Sequence, residues 1–153
     1  MSHPDERLSI GIDLGTTFSS IAFFDIQVND CEMIKENNEK SSFPSFINII
    51  NSNGRKNILF GDRAKNQDGN GALYDSKRLI GKRYEEYQQM ESETENWSFD
   101  VVEDSNGFAK MKINFQQNES LEFYPEDIFS LILTELVELL KKQTSTCCDL
   151  EIV

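Results

Sequence analysis

The chain has little of what several function classes require. Its 153 residues include only three cysteines and one histidine, and 15 Lys and Arg stand against 27 Asp and Glu. An odd cysteine count, with Cys147 and Cys148 adjacent, does not make a disulfide framework. Cys31, Cys147 and Cys148 are therefore expected to be reduced thiols of a cytoplasmic protein. His3 lies near the terminus and no C-x-x-C pair accompanies it, so a chelated metal is not expected. A net charge of −12 excludes the dense Lys/Arg patches by which nucleic acids and anionic membranes are bound. Met1 to Arg7 has no apolar core of the kind a secretory signal carries, and no apolar run has the length of a membrane span.

A hydrophobic content of 38%, with eleven Phe, is enough for a packed interior in one domain or in two small subdomains sharing a core. The most informative stretch is Ile10-Gly11-Ile12-Asp13-Leu14-Gly15-Thr16-Thr17. An apolar run ends near an aspartate, a glycine and two hydroxyl residues follow, and a second apolar run spans Phe18 to Phe24. This pattern predicts a hairpin between two strands, with Gly15 supplying the positive φ that such turns often use. Consecutive N–H groups and the Thr16 and Thr17 hydroxyls could hold phosphate oxygens. Asp13, at the strand end, could hold a hydrated Mg²⁺ through its waters. An ordinary β-turn uses the same residue types, so on this octapeptide both readings stand.

A second segment separates them. Leu73-Tyr74-Asp75-Ser76-Lys77-Arg78-Leu79-Ile80-Gly81 sets two cations in an apolar turn that ends on glycine. Together with the hairpin, with Phe43-Pro44-Ser45 and with Phe123-Tyr124-Pro125-Glu126-Asp127-Ile128, it resembles the seventy-kilodalton heat-shock chaperones, the DnaK-like family. The four motifs stand in the family's order. The resemblance runs from about Leu8 to the last residue, and it matches the amino-terminal part of the family's nucleotide-binding domain.

That resemblance implies an α/β fold of the actin-like ATPase, ribonuclease-H-like kind: half of a nucleotide-binding domain carrying an inserted α+β subdomain. It implies that the hairpin binds the β- and γ-phosphates of ATP or ADP. Asp13 would organise Mg²⁺ through water, and Gly15, Thr16, Thr17 and Phe18 would contact the nucleotide. Phe18 stands where the family typically has Tyr. Lys77 matches the lysine placed beside the γ-phosphate, where it would neutralise developing charge and orient the attacking water. An isolated lysine is usually a solvated one, and the flanking motif is what favours the functional reading here. Arg78 is read as pairing with acids between subdomains. Around Glu39 to Phe43 the family usually has Gly and Arg and then two Thr, whereas this chain has only Ser41 and Ser42 as hydroxyls. The family closes its site with a second phosphate hairpin, further acids near the metal and an adenosine pocket from a second lobe. None of these is within the chain, so alone it is expected to bind nucleotide weakly or not at all, and to need no cofactor to fold. ATPase activity is implied only for a complete nucleotide-binding domain. The partners implied for the intact protein are J-domain co-chaperones, nucleotide-exchange factors and unfolded peptides.

The expected organisation is a ribonuclease-H-like subdomain from residues 1–45 and 123–153, with 46–122 inserted. Strands are expected at Ser9–Asp13, Phe18–Asp25 and Cys31–Ile34, in a sheet buried on both faces. Further strands are expected at Phe46–Ile50, Asn57–Phe60, Phe99–Val102, Lys110–Phe115 and Leu121–Phe123, and short helices at Asp62–Gln67, Ser76–Leu79 and Glu85–Glu91. The long helix from Pro125 to about Gln143 has Pro at its first position and acids in its first turn. Its stripe of Ile128, Leu131, Ile132, Leu136, Leu139 and Leu140 reads as core. Asp149 to Val153 reads as the start of a strand of a parallel sheet, which suggests a chain cut short, with self-association through the exposed edge. Two other functions stay open: a truncated, non-catalytic interaction module, and a fragment of a sugar or acetate kinase of the actin-like superfamily.

Overall fold

The computed structural model describes residues 9–25, 28–36, 40–52, 55–90, 94–115 and 119–144. β1 (Ile10–Leu14) and β2 (Phe18–Asp25) form the expected hairpin, with Ile10 opposite Phe23 and Leu14 opposite Ser19. The chain reverses at Asn29, whose φ is 55°, into β3 (Asp30–Met33) along the outer half of β2. The inner end of β2 pairs instead with the two-residue β4 (Phe43–Pro44). Its position follows from chemistry, because proline has no N–H to give a ladder and is tolerated in edge pairings.

One expectation for this sheet is corrected. Its faces are not equally buried: Ile10, Ile12 and Leu14 pack on the core, while Gly11, Asp13 and all of β3 are exposed. The apolar run had concealed an alternation, because Gly11 counts as apolar yet has no side chain to bury. Every strand pairing among the described residues is antiparallel. The Asp149–Val153 strand lies outside the described residues.

A second sheet has β5 (Ile47–Ser52) at its centre, flanked by β6 (Arg55–Phe60) and β7 (Ala72–Leu73). The short helix α1 (Gly61–Lys65) follows β6. After β7 come a 3-10 turn (Ser76–Arg78) and α2 (Tyr84–Gln88). A third sheet is a meander of β8 (Asp100–Glu103), β9 (Ala109–Asn114) and β10 (Ser120–Phe123). The inward faces of all three sheets meet in one hydrophobic cluster that includes Ile21, Phe43, Ile47, Leu73, Met111 and Ile113. Tyr74 joins the second sheet to the third through its ring, stacked on Phe46 at 4.7 Å and edge-on to Phe99 at 5.5 Å.

The long helix α3 (Pro125–Thr144) ends within a residue of its expected boundary. Asp127 reaches back to accept the Tyr124 N–H at 2.8 Å, a cap for one of the donors a helix start leaves free. Ile128, Ile132, Leu136 and Leu140 are fully buried, and Leu131 and Leu139 flank them, so the stripe is core. At the other end, the Gln143 carboxamide accepts the Lys35 N–H at 3.1 Å and donates to the Lys35 carbonyl, tying the helix end to the strand end.

Asp104 joins the third sheet to the helix start. One carboxylate oxygen accepts the Asn106 and Phe108 N–H groups, each at 2.8 Å, and the other accepts the Tyr124 hydroxyl at 2.9 Å. The Phe108 N–H is the leading cause that holds the Asp104 carboxyl below the usual carboxylate range, and the bond to Asp104 pushes the Tyr124 phenol up. A carboxyl with a depressed folded-state pKa adds stability above its unfolded value and loses it as pH falls through the folded value. The wild-type chain should therefore lose part of its stability below about pH 4, and Asp104→Asn should flatten that limb. Urea titrations of both chains between neutral and acid pH check this, and parallel acid limbs would contradict it.

Candidate functional site

The β1–β2 hairpin and the 3-10 turn converge. The Lys77 ammonium donates to the Leu14 carbonyl at 2.9 Å, which places the expected catalytic lysine at the end of β1 and beside the expected phosphate loop. The turn that presents Lys77 is held on both sides by buried residues, Ser76 and Leu79. It starts at Asp75, which takes φ 54°, a conformation that Asp tolerates better than most residues. The Asp75 carboxylate accepts the Trp97 indole N–H at 3.3 Å and lies 3.5 Å from Arg78. Arg78 thus pairs with the acid that opens its own turn.

Gly15 is required for a different reason than the one expected. Its φ is not in the positive region, so the turn does not use that freedom. A Cβ on Gly15 would instead lie 2.2 Å from the Phe18 carbonyl oxygen, a backbone atom that cannot yield without opening the hairpin. The close approach of Gly15 and Phe18 makes the loop tight.

Ser45 closes the loop from the core side. Its hydroxyl donates to the Gly15 carbonyl at 2.8 Å, and its N–H donates to the Thr17 carbonyl at 2.9 Å. The Ser19 hydroxyl lies 2.8 Å from the Ser45 hydroxyl, and both residues are buried. The carbonyls of Leu14, Gly15 and Thr17 are therefore all occupied by donors from elsewhere in the chain. The N–H groups of Thr16 and Thr17 have no acceptor among the described residues. Capped carbonyls and free N–H groups make a loop that suits an anion, because backbone donors with no competing oxygen favour negative charge.

Of the expected nucleotide contacts, Asp13 is exposed on the open face of β1, Thr16 is half-buried and Thr17 is exposed. Phe18 is 50% exposed and pairs with Pro44, so its ring covers no core. Among the described residues no three His, Cys, Asp or Glu side chains cluster closely enough to chelate a metal. A single exposed carboxylate suits Mg²⁺ held through its own waters. Asp13 and Thr17 are thus open to solvent, Thr16 is half-buried, and Lys77 lies at the end of the same strand. The bonds of Ser45 and Ser19 to the loop were not foreseen from the sequence. Phe43-Pro44-Ser45 had been singled out as a motif, and that was the signal available.

Comparison with known proteins bears on the family. The family model described as Hsp70 protein matches residues 9–149. A ribosome-associated molecular chaperone of Eremothecium gossypii is 33% identical over 134 residues, covering 86% of this chain and 20% of the relative. The putative heat shock 70 kDa protein 7 of Homo sapiens is 32% identical over 141 residues, covering 90% of this chain and 36% of that protein. A ribosome-associated molecular chaperone of Saccharomyces cerevisiae is 31% identical over 134 residues, covering 86% of this chain and 20% of the relative. The chain thus spans between a fifth and somewhat over a third of the length of these three relatives.

The Gly15 contact gives a direct test of the loop. Gly15→Ala should cost about 1–3 kcal/mol in urea unfolding, as overpacking against a fixed atom does. A neutral Gly15→Ala would contradict the close approach.

Proposed function

The chain belongs to the Hsp70 family, and on that premise we propose that it forms the phosphate-binding half of an ATP site that a second lobe completes. The observation that carries this reading is the Lys77 bond to the Leu14 carbonyl at 2.9 Å, which joins the two separate sequence motifs in one place. In this reading Thr16 and Thr17 donate to the terminal phosphates, Asp13 holds Mg²⁺ through water, and Lys77 offsets the charge that develops in phosphoryl transfer. The nucleotide supplies the reactive phosphoanhydride, and the chain's own residues hold and orient it. Residues 1–45 with 123–153 act as the ribonuclease-H-like subdomain and 46–122 as the inserted one.

In a complete protein, ATP hydrolysis at this site would drive cycles of peptide binding in the cytoplasm, with J-domain co-chaperones and nucleotide-exchange factors as partners. The names of several relatives identify them as ribosome-associated chaperones, which makes nascent chains a reasonable peptide class. Lys77 is bonded to protein in this structure, and its ammonium has three donors, so it can keep the Leu14 carbonyl and still reach a phosphate oxygen.

Calorimetry on the chain with Mg·ATP tests the proposal. Half a clamp should bind with a dissociation constant of about 1 mM, roughly 4 kcal/mol. Lys77→Ala, which removes a charge-assisted contact, should weaken binding by about tenfold. Submicromolar affinity, or binding indifferent to Lys77→Ala, would contradict the proposal.

A further inference from the structure

We propose that Ser45, seated by Ser19, is the positioning residue of the hairpin, and that it makes the loop fit for an anion by tying down its carbonyls. This role rests on the phosphate reading of Asp13 to Thr17 given above. A loop that is to hold phosphate has an electrostatic problem: each peptide that offers an N–H also carries an oxygen that repels the ligand. Here two of the loop's oxygens, those of Gly15 and Thr17, are drawn to the core side. The Ser45 hydroxyl takes the Gly15 carbonyl and the Ser45 N–H takes the Thr17 carbonyl, at 2.8 and 2.9 Å.

The direction of each bond follows from counting hydrogens. A serine hydroxyl has one proton, and that of Ser45 goes to the Gly15 carbonyl. The 2.8 Å contact between the two hydroxyls therefore has Ser19 donating and Ser45 accepting. A relay results, in which Ser19 orients Ser45 and Ser45 orients the loop. Both serines sit at 4% exposure or less, where a hydrogen bond meets little competition from water. The sheet fixes the spacing, because Ser19 lies opposite Phe43 in the β2–β4 pairing and Ser45 follows that strand directly. Neither serine reaches the open side of the loop, so Ser45 acts through the hairpin and does not touch the ligand.

The test uses the whole chain, with NMR of the Gly15, Thr16 and Thr17 amides and sodium tripolyphosphate as the probe. Ser45→Ala keeps the N–H and loses the hydroxyl. It should shift those three amides and weaken tripolyphosphate binding by about tenfold, with a native spectrum elsewhere. Ser45→Thr, which retains the hydroxyl, should restore both. If Ser45→Ala fails to fold, Ser19→Ala serves in its place, since it removes only the group that orients Ser45. Hairpin amides in Ser45→Ala or Ser19→Ala that match those of the wild type would overturn the proposal. If the wild-type chain shows no tripolyphosphate response at all, the phosphate reading fails. The amide shifts of the free variants then still decide whether Ser45 positions the loop.

Discussion

The structure depends on one packing constraint, the apolar stripe of α3. Ile128, Ile132, Leu136 and Leu140 are removed from water along four turns of one helix face, and α3 touches β2, β5, β10 and the 3-10 turn. Burial of four such side chains contributes on the order of 1.5–3 kcal/mol each relative to exposure, an upper estimate because a real unfolded chain already hides some apolar surface. The helix thus fixes the strand that carries one half of the site and the turn that carries the other. Lys77 and the Leu14 carbonyl come from segments 63 residues apart in sequence, and neither segment could hold the other without that shared support.

Upon this scaffold the site is assembled by hydrogen bonds that cap oxygens. The hairpin alone would present carbonyls and N–H groups together, as any turn does. Lys77 and Ser45, the latter held by Ser19, occupy the Leu14, Gly15 and Thr17 carbonyls, and the Thr16 and Thr17 N–H groups have no acceptor among the described residues. Membership of the Hsp70 family favours the chaperone branch over the sugar or acetate kinases that share this architecture. The chain spans only a fraction of its relatives' length, and in the proposed reading the hairpin and the Lys77 turn would need a second lobe to enclose a ligand.

What the sequence disclosed and what it hid follow from length and periodicity. β2 was expected at Phe18–Asp25 and lies there, and α3 matches within a residue, because long periodic segments specify themselves. The two-residue strands β4 and β7 were not foreseen, since two residues have no period and form only where a neighbouring strand offers an edge. β1 read as continuously apolar because Gly11 masked its alternation. Lys77 was singled out by its flanking motif, and the structure brings it to the Leu14 carbonyl. Ser45 stood in the Phe43-Pro44-Ser45 motif, but its bonds to Gly15 and Thr17, some thirty residues away, leave no local pattern to read.

Native-state hydrogen exchange tests the central claim, that α3 holds the hairpin strand and the Lys77 turn as one unit. Amides of Ile132 to Leu140, of Ile21 to Phe24 and of Leu79 should exchange with the same, highest opening free energy, and they should lose protection together as urea is added. Exchange of the α3 amides by a separate opening of lower free energy, while β2 and Leu79 keep full protection, would contradict it.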